Sequence, residues 1–428
     1  MELNEPSAKY FVKAECSQTD VGLVPSDWLL KTIGDLFRFE GGSQPDRSHF
    51  VGSPRPGYVR LIQIRDYKSD RFEVFIPRCL ARRFCNSTDI MIGRYGPPVF
   101  QILRGLTGAY NVALIKAIPD ATLDARYAYQ FLKQDSLFAF IDKLSQRSSG
   151  QTGVDLKELR SYPLSLPATP VERLAIADAL TDADALIDSL ERLLAKKRQI
   201  KQGAMQELLT SQRRLPGWQQ EWAIKPMSEL FDFSGGVSAS RDQLGTSGHA
   251  YLHYGDIHVS NKNYVHVTTE WPDLPKLDVP ISKVGAGALL ADGDVVFVDA
   301  SEDDEGTSKH MVVVNPKQLP FISGLHTIVA KPKTGELVDL YKRYCFQTTA
   351  VKEQFRFFAV GTKVSGVSKT NIRKISILVP PPEEQTAIAT VLSDMDTEIT
   401  ALEARLTKAR QLKQGMAQAL LTGRIRLV

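Results

Sequence analysis

Cysteine is scarce. Four residues in 428, at positions 16, 79, 85 and 345, are too few and too scattered for a disulfide framework or a cysteine-based zinc site. A reducing cytoplasm is the expected setting. Long apolar runs are also lacking. None approaches the roughly 18 residues that a membrane helix needs. The polar, partly acidic opening MELNEPSAKYFVKAEC does not read as a secretory signal. No membrane is expected among the partners. The chain holds no GxxxxGK[ST] phosphate loop, no HExxH pair and no GxSxG turn. Neither sign of charge dominates. The 53 Lys and Arg stand against 49 Asp and Glu, for a net +4 and a pI near 8.7. That mild excess permits nucleic-acid binding without arguing for it.

The remaining catalytic candidates are weak. Gly96-Pro97-Pro98 is similar to the N/D-PP-Y/F motif of amino-methyltransferases, but glycine supplies no side-chain acceptor for a target amine. KVGAG (283–287) holds a lone GxG. His249, His253, His258 and His266 cluster in sequence, yet at no familiar metal spacing, and ordinary loop and strand histidines explain them better. Neither a catalytic residue nor a metal ligand is expected here, so catalysis would have to come from another chain.

What the chain does have is a repetition. AKKRQIKQGAMQELLT (195–210) returns as TKARQLKQGMAQALLT (407–422), an offset of 212. The match spreads upstream without a gap. Glu172, Ile176, Ala177, Asp182, Asp184 and Glu191 meet Glu384, Ile388, Ala389, Asp394, Asp396 and Glu403. A weaker echo pairs WLLKTIGDLFRFEGG (28–42) with WAIKPMSELFDFSGG (222–236). Each half opens with this motif and closes with the long segment. Between them only YVRLIQIRDY with AYLHYGDIHV, and TDIMIG with GDVVFV, align loosely. The frame is copied while the filling differs, and the period is too long for a solenoid.

The long copied segments are helical. Ile176, Leu180, Ile187, Leu190 and Leu194, then Ile388, Leu392, Met395, Ile399, Leu402 and Leu406, follow alternating spacings of three and four, a narrow seam along one helix face. The prolines of LPATPVER and VPPPEEQ suit a first turn, and the acids after them complement the helix dipole. A stripe this narrow needs one long partner, and the other copy is the cheapest candidate. Two helices of about 30–40 residues would make a rod of roughly 45–60 Å. Gly203 and Gly415 are expected to bend or end it early. Packing of each stripe on its own domain is the alternative. Polar residues kept in both copies point to a shared external partner, with Arg198, Gln202, Arg410 and Gln414 as docking candidates.

The fillings, 43–160 and 237–375, read as mixed α and β, with strands at YVRLIQI, RFEVFI, DIMIG, YNVALIKAI, GDVVFVD, HMVVV and HTIVA. One helical stretch follows in each, 125–144 and 335–358, then a polar Gly/Ser loop. Basic and aromatic residues among the strands are candidates to grip phosphates and read base edges: Arg60, Arg65, Lys68, Arg71, Arg94 and Tyr95 in the first, Arg241, Tyr254, Lys262 and Lys309 in the second. The acidic SEDDE (301–305) would repel DNA and is expected to face solvent.

The tandem frames resemble the specificity subunit of Type I restriction–modification systems, from about residue 22 onward. GDVVFVDASEDDEG (293–306) is similar to a segment of that family's target domains. One departure is Arg173 in the first copy, where the second has the usual Gln385. The resemblance implies an α+β fold in which two mixed α/β target recognition domains are joined by two long helices packed as an antiparallel coiled coil with pseudo-twofold symmetry. The expected division is an N-terminal tail (1–21), recognition domains at 22–165 and 215–379, and spacer helix regions at 166–214 and 380–428. It implies a non-catalytic reader of double-stranded DNA that recognises a bipartite, asymmetric site. Two methyltransferase subunits dock on its frame, and motor–nuclease restriction subunits join them. S-adenosylmethionine sits on the methyltransferase, not on this chain. Two other readings stay open on the residues alone: a stand-alone DNA-modifying enzyme with an unrecognised site, and a scaffold that binds protein rather than DNA.

Overall fold

The computed structural model describes residues 16–19, 22–145, 153–301, 308–359 and 365–427. It forms two compact units. Residues 1–191 with 404–428 make the first, and 192–403 the second. Each therefore combines one filling with part of both long helices.

In the first unit, strands Phe37–Gly41, Leu114–Pro119, Ile90–Gly93 and Ile102–Leu103 form an antiparallel sheet in that order. A second sheet runs Phe75–Pro77, Tyr58–Ile62, Gly108–Tyr110, Phe84–Cys85, with its middle pair parallel. The second unit repeats this plan. One sheet runs Phe231–Gly235, Thr327–Pro332, Val295–Val298, His310–Val314, Tyr264–His266. The other runs Leu244–Gly245, Lys276–Leu277, His249–Leu252, Phe321–Ser323, and its last pair is parallel. The fillings thus share a skeleton that their sequences hide.

The two pieces of each copied frame are hydrogen-bonded neighbours. Leu29–Thr32 pairs with Pro163–Leu166, and Ala223–Pro226 pairs with Ser376–Val379. This places the opening motif at the root of the long helix that closes the half. The turn after each opening strand sends Ile33 and Leu36, or Met227 and Leu230, into the core. The next strand buries Phe37 and Phe39 in the first unit and Phe231 in the second.

The long helices span Pro170–Leu208 and Pro382–Leu420, 39 residues each. Neither stops at its glycine. A helix-interior glycine costs only about 1 kcal/mol relative to alanine, too little to end a helix anchored at both flanks. The shorter helical stretches are each broken in two, giving Ala125–Leu132 and Asp135–Ser145, then Asp339–Cys345 and Thr349–Phe358. In the second case Thr348 starts a new helix by accepting from Val351 N at 3.3 Å. RFEVFI is a strand only from Phe75, because Asp70–Phe72 is a 3-10 turn capped by Ser69. At the end of the expected N-terminal tail, Cys16–Thr19 pairs with Gly22–Pro25 in a hairpin. The rest of 1–21 lies outside the described residues, as does most of SEDDE. No described helix is long and apolar enough to cross a membrane.

Candidate nucleic-acid interface and docking frame

The seam residues are buried along both helices. Exposure is 0% at Ile176 and Leu180, 7% at Leu190 and 6% at Leu194, with matching values at Ile388, Leu392, Ile399, Leu402 and Leu406; Ile187 and Met395 are half-buried. Their partners differ along the helix. Ile176 and Leu180 belong to the first unit's core, and Ile388 and Leu392 to the second's. The alternative of packing on the home domain is therefore right for the first turns. Leu190 and Leu406 in the first unit, and Leu194 and Leu402 in the second, belong to neither domain core. Ion pairs between the two helices flank them, so the opposite helix is their cover.

Those pairs give the direction of packing. In the first unit Glu172 meets Arg426, Asp184 meets Lys413 and Glu191 meets Arg410, at 2.5, 2.5 and 2.6 Å. As one number rises the other falls, so the segments run antiparallel. In the second unit Glu384 meets Arg214, Asp396 meets Lys201 and Glu403 meets Arg198, at 2.6, 2.5 and 2.6 Å. Each of these is the duplicate of a pair in the first unit. The polar residues common to both copies are thus kept at least in part by one another. Arg198 and Arg410, the expected docking residues, each pair with a carboxylate of the other helix and stay more than half exposed. Gln414 donates to Asp135 Oδ2 at 3.0 Å, while Gln202 lines a groove.

The innermost pairs hold the charge most deeply. Glu384 is fully buried and takes both Arg214 nitrogens at 2.6 Å and Trp222 Nε1 at 2.8 Å. Glu172 takes Arg426, which also donates to the two Asp27 oxygens at 2.9 Å. The hydrogen bond from Arg426 is the main reason the Asp27 carboxyl titrates below its ordinary range. Arg214 and Arg426 were missed in the sequence, although they too sit 212 apart. The Arg173 departure is absorbed locally. Arg173 donates to the carbonyls of Pro167 and Ala168, and Gln385 to that of Pro380, the duplicate of Ala168. Both side chains are buried, so the helix starts differ in chemistry but not in task.

Each unit also carries a groove between the helical frame and its own domain. In the first it encloses about 590 Å³ and is lined by Asp184, Ile187, Arg410, Lys413, Gln414 and Gln418. In the second it encloses about 630 Å³ and is lined by Asp396, Ile399, Arg198, Lys201, Gln202 and Gln206. All six are duplicates. The domain side differs: Gln130, Lys133 and Asp135 in one, Gln347, Thr348 and Lys352 in the other.

The candidate DNA contacts fall largely on matching segments. The parallel strand Tyr58–Ile62 runs into a 3-10 turn, Ile64–Tyr67, and His249–Leu252 runs into helix Tyr254–Val259. Arg65 lies on the first of these segments, with Lys68 and Arg71 just after it, and Tyr254 lies on the second, with Lys262 just after it. Arg65 and Arg71 both lie 5.4 Å from the centre of the exposed Phe72 ring, which sequence reasoning overlooked. Arg94 lies over Tyr95. Arg60 is a correction. It is mostly buried and ion-paired with Asp70 at 2.9 Å and Glu73 at 2.6 Å, so it braces the loop. Arg241 is paired with Asp256 at 2.8 Å, Lys262 stands 3.5 Å from Glu270, and Lys309 donates to His258 O at 2.6 Å. Among the described residues no group of three or more His, Cys, Asp or Glu is placed to hold a metal.

The fold is that of two-domain specificity subunits. The crystal structure of the Type I restriction–modification S subunit from M. genitalium aligns with a TM-score of 0.57 at 14% identity, over 92% of this chain and 96% of that one. A structure from work on assembly and conformational transition of the Type I system aligns at 0.53 and 15%, over 94% and 99%. In sequence, the MjaVIII specificity subunit of Methanocaldococcus jannaschii is 22% identical over 97% of both chains. The EcoDI specificity subunit of Escherichia coli is 25% identical over 36% of both. A family profile, the Type I restriction modification DNA specificity domain, matches residues 290–412. The chain is thus similar over nearly its whole length to Type I restriction–modification specificity subunits, and residues 290–412 match the DNA specificity domain of those systems.

Proposed function

We infer that this chain chooses the DNA sequence on which a Type I restriction–modification complex acts, and that it performs no chemistry itself. Its two units each read one half of an interrupted, asymmetric site. Two copies of one methyltransferase dock on the helical frame, each at one duplicated groove. They carry S-adenosylmethionine and transfer its methyl group to adenine, and restriction subunits join that assembly in the cytoplasm. The observation that carries this reading is the contrast within each unit. Six groove residues are retained residue for residue, which suits one partner bound twice. The segments after the parallel strands hold the same place in the fold but differ in most side chains, which suits two different half-sites.

Genome-wide adenine methylation, mapped in a host carrying this chain with its methyltransferase, tests the reading. The expected result is one asymmetric motif with an unread gap. Methylation without such a motif overturns it. So does turnover by the purified chain alone with DNA, Mg²⁺ and S-adenosylmethionine, which would favour a stand-alone enzyme. Binding to duplex DNA should weaken steeply with salt, because phosphate contacts release counterions; a salt-independent complex would favour a protein scaffold.

A further inference from the structure

The second unit carries a cluster of rings around the candidate Tyr254. Tyr254 sits at the head of helix Tyr254–Val259. Its ring centre lies 4.5 Å from that of His253, 6.1 Å from His258 and 5.4 Å from His326, the last two edge-on. His326 arrives from a different element, the turn after strand Phe321–Ser323. Its backbone is left-handed, at φ 58°. That conformation costs a histidine something that glycine would not lose.

The turn is held tightly enough to impose this conformation. Gly324 N donates to Leu252 O at 2.9 Å, Leu325 N to the Tyr251 hydroxyl at 3.0 Å, and Asp299 N to His326 O at 3.1 Å. The matching turn of the first unit, Asn111–Ala113, has no left-handed residue. Backbone held in sparsely populated regions clusters at functional sites, which makes this exposed side chain a candidate for use. The surrounding charges are already engaged: Arg241 with Asp256, and Lys309 with His258 O. His258 Nε2 reaches Ala300 O at 3.3 Å. The His326 ring is half-exposed, with Nδ1 3.3 Å from Asp299 Oδ1. Its Nε2 has no partner among the described residues.

We propose that His326 is a specificity-determining residue of the second unit, its Nε2 meeting a base edge in the major groove while the edge-on Tyr254 ring orients it. This rests on the DNA-reading assignment above. The test uses the complex with its methyltransferase and a duplex library varying every base of both half-sites. His326→Gly keeps the left-handed turn and removes the imidazole, and His326→Asn tolerates the same backbone; thermal unfolding checks that both fold. Discrimination should fall about tenfold at one position of one half-site and stay unchanged in the other half-site. Full discrimination at every position in the glycine variant overturns the proposal. So does a uniform loss across all sequences, the mark of a phosphate contact. A wild-type complex that methylates without regard to sequence overturns the DNA-reading assignment itself.

Discussion

At the scale of single residues, the paired glycines that end each opening motif have unequal roles. A methyl group on Gly42 would lie 1.9 Å from Asn111 O, and one on Gly236 would lie 1.8 Å from Gly324 O. One on Gly41 would meet nothing within 4 Å. Gly42→Ala and Gly236→Ala should therefore lose on the order of 3 kcal/mol in denaturant titrations, since backbone cannot move aside as a side chain can. Gly41→Ala should be nearly neutral, and equal losses at 41 and 42 would refute this account. The glycines were legible as copied residues. Their reason was not, because the carbonyls they face lie far along the chain. A second residue, His310, is buried against Phe297 and Phe346. Burial pushes its pKa down from 6.5 to about 4. Below 6.5 the unfolded chain takes up a proton that the folded chain refuses. This contribution to stability is full above pH 6.5 and is lost as pH falls towards 4. The melting temperature should fall between pH 7 and 5, and His310→Phe should flatten that slope.

At the scale of elements, the two long helices are held by pairs of unequal worth. Glu403 and Arg198 are both about half exposed, whereas Glu384 is wholly enclosed. Solvent screens the first pair, so Glu403→Gln should cost about 0.2–1 kcal/mol. Glu384→Gln leaves the Arg214 charge without its carboxylate and should cost about 3–5 kcal/mol. Urea unfolding of both variants checks the order, and a reversal would show the inner pair to be dispensable. The helices and their seam could be read from periodicity because burial and helical spacing coincide along a stripe. The inter-helix ion pairs could not. A duplicated arginine looks the same in one dimension whether it faces a partner protein or the neighbouring helix. The shared skeleton of the fillings was hidden for a related reason: sheet pairing leaves side chains free to change while backbone bonds persist.

At the scale of the whole molecule, the duplication assigns each helix two tasks, since each contributes to both units. Under the proposed function, helix length sets the unread gap. Four-residue insertions at matching positions, near Ala195 and Thr407, leave every ion pair within its own unit intact. They should widen the gap in the methylation motif and spare both half-sites. The same gap with altered half-sites would defeat the spacer role. The first unit also depends on the far end of the sequence, for Leu420 and Leu421 lie in its core and Arg426 binds Glu172 and Asp27. On the ribosome, the half synthesised earlier must therefore wait. The later half has all its segments once residue 403 has emerged, while the earlier one keeps an open apolar seat until the last stretch is released.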